Sequence, residues 1–395
     1  MTPPRVLYLS GWSIGSHGDG AVSFVYEQIQ ELACDVQAVY VEQRFDGAVA
    51  WTRRRAAGRD VEPIADLWPP PVAALRVWTP RWSPRLTKRD LLEDVWKAGA
   101  MVAARVSRAF GRVDLVHAHV VLPAGLLGAA IARALGVPFL LQEHSAPFSM
   151  HLDTDVKRAA VDRTLAAAAV VCAVGQDLAA RIRERHAART IRLTPNLVRT
   201  GLFTQSKIPD DRSHLRIVSV GSLEERKGFD NLLSAVAILQ GLGLRVQLRI
   251  IGTGSLRETL SARLSELGLD PVATLPGSLP RTETASIIGR SHVYVCSSRC
   301  ETFGIAPAEA LSVGRPVVST RCGGPEAYVD ETCGALVEPC DPQALADAIA
   351  QTWRRIDSFA PAQLHARIAD QFGPDAFRRR MLALYDEVRF ARVAA

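Results

Sequence analysis

The stretch Cys296-Ser-Ser-Arg-Cys-Glu-Thr-Phe-Gly-Ile-Ala-Pro-Ala-Glu-Ala310 places Glu301 and Glu309 on either side of a strand-loop-helix transition, with seven residues between them. Just before it, His292-Val-Tyr-Val-Cys296 is short, apolar and β-branched, as suits a buried parallel strand, and Ser297 and Ser298 mark its carboxyl end. Open α/β sheets bind their ligands beyond that end. Glu301 falls in the loop, while Pro307 falls in the first turn of a helix that carries Glu309 inward and aims backbone N–H groups at any bound anion. Two readings follow. An ionised carboxylate accepts two or more hydrogen bonds and a vicinal diol offers two donors, so the pair suits sugar or ribose hydroxyls. Alternatively, the two form a helix-terminus charge and a loop salt bridge.

Outward from this stretch, strand-like and helix-like runs alternate. Val6–Ser10, Ala21–Leu32, Val36–Val41, Lys88–Phe110, Leu115–His119, Ala124–Leu135 and Phe139–Gln142 form one series. Arg216–Val220, Phe229–Gln240, Gln247–Ile251, Leu256–Leu267, Val293–Cys296, Ile305–Val313, Pro316–Ser319 and Leu345–Trp353 form another. Such alternation predicts βαβ units and parallel sheets, hence an α/β chain with two Rossmann-like domains. At 395 residues the chain also exceeds the usual size of a single core. Residues 1–198 make the first domain and residues 215–372 the second, joined by a hinge at 199–214 that lies in a Pro-, Asn-, Ser- and Asp-rich stretch. Residues 373–395 carry Phe377, Met381, Leu384, Tyr385 and Val388 at helical spacing.

Composition narrows the function. The chain is 48% hydrophobic and 22% charged, the range of globular proteins. Seven scattered cysteines, with no zinc spacing, fit a reduced cytoplasmic compartment. The N-terminus enters a strand at Arg5 with no room for a signal peptide, and no apolar run approaches the roughly 20 residues of a membrane span. Residues 1–206 hold 25 Lys and Arg against 19 Asp and Glu, whereas residues 207–395 hold 22 of each, so the net charge of +6 resides in the first half. That small excess, without a recognised motif, argues against nucleic acid as a partner.

Several motifs, in one order along the chain, resemble the retaining glycosyltransferases of family 4, which have the GT-B fold. They are Asp114-Leu-Val-His-Ala-His119, Gln142-Glu-His-Ser145, Pro195-Asn196, Gly221-Ser-Leu-Glu-Glu-Arg-Lys227-Gly228, the Glu301 to Leu311 stretch, Gly314-Arg-Pro, Gly323-Gly-Pro-Glu326 and Gly334 to Ala346. The resemblance implies two Rossmann-like domains whose parallel sheets face an interdomain cleft, with the final helix crossing back to the first domain. It implies a nucleotide-sugar donor in the second domain, a saccharide or lipid-linked acceptor in the first, and neither metal nor other cofactor. Lys227 corresponds to the lysine on the donor diphosphate, Glu301 to the sugar-hydroxyl carboxylate, Glu309 to the ribose carboxylate, and His144 to a histidine at the donor sugar. His144, Glu301 and Lys227 thus form the catalytic set. Gly20 in the loop Gly15-Ser-His-Gly18-Asp-Gly20, Ser222, Ser278, Leu279, Phe303 and Gly304 complete the donor site. The family usually has arginine where Ser222 stands, and Arg226 is the nearby guanidinium that could take its place.

Three features invite other readings. His117 and His119 lie two apart on one strand and share a face, but no third ligand accompanies them, so a structural or acceptor-cleft role is expected. Asp153-Thr-Asp155 reads as an acidic helix start. Residues 61–86 fit no regular element: Trp68, Trp78 and Trp82 mix with Arg76, Arg81 and Arg85 among prolines. This segment either touches a membrane surface or packs on the first domain. The same two-domain fold also serves nucleotide-sugar 2-epimerases, and a non-catalytic scaffold subunit is a third reading.

Overall fold

The computed structural model describes residues 3–11, 23–46, 48–59, 61–63, 72–80, 88–187 and 190–390. Contacts divide them into two compact units. Residues up to Thr194 together with those from Arg378 onward form the first, and Pro195–Phe377 form the second.

The first unit runs β1 (Arg5–Ser10), α1 (Ser23–Leu32), β2 (Gln37–Asp46), α2 (Ala48–Ala56), β3 (Val61–Pro63), β4 (Ala73–Pro80), α3 (Lys88–Phe110), β5 (Leu115–His119), α4 (Leu126–Leu135), β6 (Phe139–Glu143), α5 (Asp155–Ala167), β7 (Val170–Ala173), α6 (Gln176–Arg185) and β8 (Ile191–Leu193). Its eight strands are ordered β3-β4-β2-β1-β5-β6-β7-β8. All pair in parallel except the edge pair β3 and β4. The central strands are apolar on both faces, as helix-covered parallel strands must be, and Val6 to Leu9 are fully buried. Helices α3 and α4 approach closely: a Cβ on Gly99 would stand 2.4 Å from that of Ala130. Thr154 caps α5 by accepting the Lys157 N–H at 3.2 Å, so the Asp153 to Asp155 triplet is the helix start its sequence predicts.

Residues 61–86 depart from the expectation of no regular structure, for Val61–Pro63 and Ala73–Pro80 are strands. The two described prolines do not interrupt a ladder: Pro63 ends the edge strand and Pro80 closes β4. On β4, Trp78 is covered by the Arg54 guanidinium, 3.9 Å from the ring centroid. Trp68, Arg81, Trp82 and Arg85 lie outside the described residues.

The second unit runs β9 (Leu215–Val220), α7 (Phe229–Gly241), β10 (Val246–Ile251), α8 (Arg257–Glu266), β11 (Ala273–Gly277), α9 (Arg281–Gly289), β12 (Val293–Cys296), α10 (Ile305–Val313), β13 (Val317–Thr320), β14 (Gly334–Val337), α11 (Pro342–Arg354) and α12 (Pro361–Phe372). Its sheet is wholly parallel, in the order β11-β10-β9-β12-β13-β14. The stretch 195–214 carries no helix or strand, yet it is anchored to this unit. Arg315, fully buried, donates to the carbonyls of Ser206 at 3.0 Å, Lys207 at 2.8 Å and Gly289 at 3.0 Å.

The last helix, α13 (Pro374–Phe390), buries Phe377, Met381, Leu384, Tyr385 and Val388, the residues its periodicity marks. From Arg378 on it belongs to the first unit, where Arg378 grips Asp35 through two bonds of 2.9 and 3.0 Å. Deeper in, the Tyr385 hydroxyl lies 3.0 Å from that of Tyr8 and 2.9 Å from His117 Nδ1.

Candidate functional site

In the second sheet β9 lies between β10 and β12, so the chain reverses its direction of strand addition there. A crevice opens at such a switch point, beyond the carboxyl ends of the two strands. The loop after β9 carries Ser222 and Lys227, and the loop after β12 carries Glu301, Phe303 and Gly304. A cavity between them is lined by Ser219, Val220, Lys227, Ser297, Ser298, Glu301 and the first turn of α10, Ile305 to Pro307. The N–H groups of that turn have no partners within the helix, which makes it a natural anion seat.

The two loops meet at Gly228, whose φ of +59° and tight surroundings both require glycine. A Cβ there would stand 2.1 Å from the Ser297 carbonyl oxygen. Ser297 Oγ in turn donates to the Lys227 carbonyl at 3.0 Å. This packing brings Lys227 Nζ to 2.5 Å from Glu301 Oε1, with both side chains mostly buried. Ser298 Oγ donates to the same oxygen at 2.8 Å. Burial pushes the Glu301 carboxyl up, but the charge and hydrogen bond of Lys227, aided by Arg226 and Ser298, outweigh it and hold the group below its ordinary value. Glu301 is therefore ionised at neutral pH.

Ser222 stands against a guanidinium. Arg226 Nη2 donates to Ser222 Oγ at 3.2 Å, and its Nε donates to Glu224 Oε2 at 2.9 Å. Phe303 is a core side chain, and the Tyr328 hydroxyl clamps its turn by donating to the carbonyls of Phe303 at 3.0 Å and Gly304 at 2.5 Å. The Gly323-Gly324 turn lies directly on the Phe303 backbone, and the Glu301 N–H donates to the Cys322 carbonyl at 2.8 Å. Glu326 Oε1 accepts the Gly323 N–H at 2.8 Å. Glu309 is 3% exposed and accepts from Arg281 Nη2 at 2.7 Å. Ser278 and Leu279 follow β11, at the edge of the sheet and two strands from the switch point. Gly20 lies outside the described residues.

His144 belongs to the first unit, just past the carboxyl end of β6. Its Nε2 lies 3.0 Å from His119 Nδ1, and the two rings stack with centroids 5.2 Å apart. Burial, then the nearby charge of His144, lowers His117 to about 3, while burial and its histidine neighbours put His119 well below the ordinary value. Both are neutral at physiological pH. Among the described residues, no group of three or more His, Cys, Asp or Glu side chains is arranged to hold a metal ion. No described helix is long and apolar enough to cross a membrane.

Sequence reading missed several residues of this constellation. Glu143 is fully buried and accepts backbone N–H bonds from Val121 at 2.6 Å, His144 at 2.8 Å and Ser145 at 2.7 Å, so it fixes the turn that presents His144. A glutamate ending an apolar strand was the available signal. Ser298 read only as the mark of a strand end and Arg281 gave no signal, because their partners come from other elements or from a turn whose course the sequence does not specify.

Residues 19–202 match the family described as Glycosyltransferase Family 4, and residues 203–354 match Glycosyl transferases group 1. The chain belongs to this family of glycosyltransferases. It is 27% identical over 194 residues, 49% of this chain and 43% of the relative, to a component of the phosphatidylinositol N-acetylglucosaminyltransferase of Arabidopsis thaliana. It is 29% identical over 197 residues, 47% of this chain and 48% of the relative, to the putative colanic acid biosynthesis glycosyltransferase WcaL of Salmonella typhimurium. The chain thus spans about half the length of these two relatives. A longer match, 26% identical over 346 residues, covers 80% of this chain and 88% of the 2-deoxystreptamine glucosyltransferase of Streptomyces kanamyceticus. Among solved structures, sucrose-phosphate synthase from Thermosynechococcus elongatus superposes with a TM-score of 0.76 at 20% identity, covering 98% of this chain and 100% of its own. Anabaena HepE in complex with UDP gives 0.70 at 16%, covering 97% and 100%. The shared architecture is GT-B.

Proposed function

We propose that the protein is a retaining glycosyltransferase that moves a sugar from a nucleotide-sugar donor to an acceptor hydroxyl. The observation that carries this reading is the Lys227–Glu301 pair at the β9/β12 switch point, beside the N-terminus of α10. A cation and a helix terminus suit a diphosphate, and a carboxylate held ionised suits sugar hydroxyls. Lys227 and the α10 N–H groups stabilise charge developing on the leaving diphosphate, the preorganised electrostatics that dominates many active sites. Arg226 supplies a second cation next to Ser222. Glu301 holds sugar hydroxyls, Glu309 the ribose diol, and His144 a sugar hydroxyl. The leaving diphosphate oxygen takes the acceptor proton on the same face of the sugar, through an oxocarbenium-like transition state. These cationic and dipolar groups serve without a resident metal.

The acceptor is a saccharide or lipid-linked saccharide of cell-surface polysaccharide or glycolipid assembly. Work at the cytoplasmic face of a membrane is part of the proposal. It is supported by relatives named for phosphatidylinositol glycosylation and colanic acid biosynthesis rather than by Trp78, which Arg54 covers. Proton NMR of reactions with UDP-, GDP- and ADP-sugars in EDTA tests the reading. The anomeric coupling of the first-formed product, with an acceptor or with water, should match that of the donor, and Glu301→Gln should slow its formation while nucleotide still binds. An inverted product contradicts the mechanism, a 2-epimeric nucleotide sugar indicates an epimerase, and no turnover with intact binding indicates a scaffold.

A further inference from the structure

We infer that Arg281 is a positioning residue that acts through Glu309 to fix recognition of the ribose diol. The inference rests on the reading of Glu309 given above. Arg281 is the first residue of α9, where a cation opposes the helix dipole, so local structure does not favour it there. Contacts from other elements hold it. Its guanidinium carbon lies 5.0 Å from the Phe203 ring centroid, and its Nη2 donates to Glu309 Oε1 at 2.7 Å.

Glu309 requires such a partner. It sits among the buried residues Pro307 to Val313 of α10 and is itself 3% exposed. A carboxylate in that setting stays ionised only with a cation and hydrogen bonds around it. Its side chain is 4% exposed, against 30% for that of Arg281, so the arginine is the member of the pair that reaches solvent.

A donor ribose therefore either displaces Arg281 or shares Glu309 with it. Displacement replaces a guanidinium by a neutral diol and breaks the ion pair of a buried carboxylate, which is strongly unfavourable. Sharing is chemically open, because a carboxylate offers about four lone-pair sites. Arg281 thus remains in place and fixes the plane of the Glu309 carboxylate, so that the diol meets a preset acceptor.

Calorimetric titration with UDP, GDP and ADP, followed by the 2′,3′-dideoxy form of whichever binds and by inorganic pyrophosphate, tests the inference. The wild-type protein should prefer the ribonucleotide about tenfold or more, the discrimination expected from hydrogen bonds to a charged group. Arg281→Met should lose most of that preference while binding pyrophosphate as before, and Arg281→Lys should recover part of it. If Arg281→Met does not fold, as judged by its melting transition, Arg281→Lys carries the test with an intermediate preference expected. An Arg281→Met protein that keeps the preference, binds the ribonucleotide more tightly, or loses pyrophosphate in parallel overturns the inference. Glu309→Gln separates the two levels. Retention of the preference there refutes the ribose assignment of Glu309 itself, whereas loss there with retention in Arg281→Met refutes only the role of Arg281.

Discussion

Replacing Lys227 with methionine removes the cation from a carboxylate that the fold has buried. The Lys227 and Glu301 side chains are 16% and 10% exposed and their charged atoms are 2.5 Å apart. Removing one member of a buried pair costs about 3–5 kcal/mol. Ser298 still donates to Glu301, Arg226 still lowers it, and water retains some access, so about 2–3 kcal/mol is expected for Lys227→Met near pH 7. The pH dependence has a definite sign. In the wild-type protein the Glu301 pKa is depressed, so its contribution is present above the unfolded value and is lost as pH falls through the folded one. In Lys227→Met burial dominates and raises it. Protonation then relieves the variant, and its deficit shrinks as pH falls from 7 towards 5. Urea denaturation of the wild-type protein, Lys227→Met, Glu301→Gln and the double variant at both pH values measures this. The double variant should be more stable than the sum of the single losses implies. A Lys227→Met deficit below about 0.5 kcal/mol that does not vary with pH would show a solvent-screened pair and refute the electrostatic account of the site.

Two further outcomes are expected. His117 and His119 are buried and neutral, with folded pKa values below the unfolded value, so their contribution is fully present above about pH 6.5 and each removes about 1.4 kcal/mol per pH unit below it, His117 until about pH 3; denaturation midpoints at pH 7 and pH 5 check this, and equal midpoints contradict it. Gly228→Ala drives a Cβ into the Ser297 carbonyl, so it should destabilise the second unit by about 2 kcal/mol or more and weaken nucleotide binding along with it. Calorimetry and melting temperature report both effects, and an unchanged protein contradicts the close packing of the two loops.

The sequence was most readable where a single element states its own role. Helix α3 was bounded at Lys88 and Phe110, and Glu301 and Glu309 were placed on the loop and helix where they lie, because strand periodicity, Pro307 and the glycines are local signals. Strand β4 was not legible. Arg76 and Trp78 resemble part of an interface segment until β2 pairs beside the strand and Arg54 covers Trp78. Tyr385 could be marked as a buried helix position, but not as the partner of His117, 268 residues away. Arg281 was overlooked because a charge at a helix start usually faces water. Strands β9, β10, β12 and β13 of the second sheet could be read from sequence, whereas β11, β14 and the switch point between β9 and β12 emerged only with the structure.

The central claim is that Lys227 and its neighbours bind a nucleoside diphosphate at the β9/β12 switch point without a metal. Calorimetric titration of UDP, GDP and ADP into the wild-type protein and Lys227→Met, in EDTA, tests it most directly. One nucleotide should bind the wild-type protein and lose about a hundredfold in affinity for the variant, the scale of a lost charge-assisted contact to phosphate. Equal binding to both proteins, or binding only when magnesium is restored, would contradict the account.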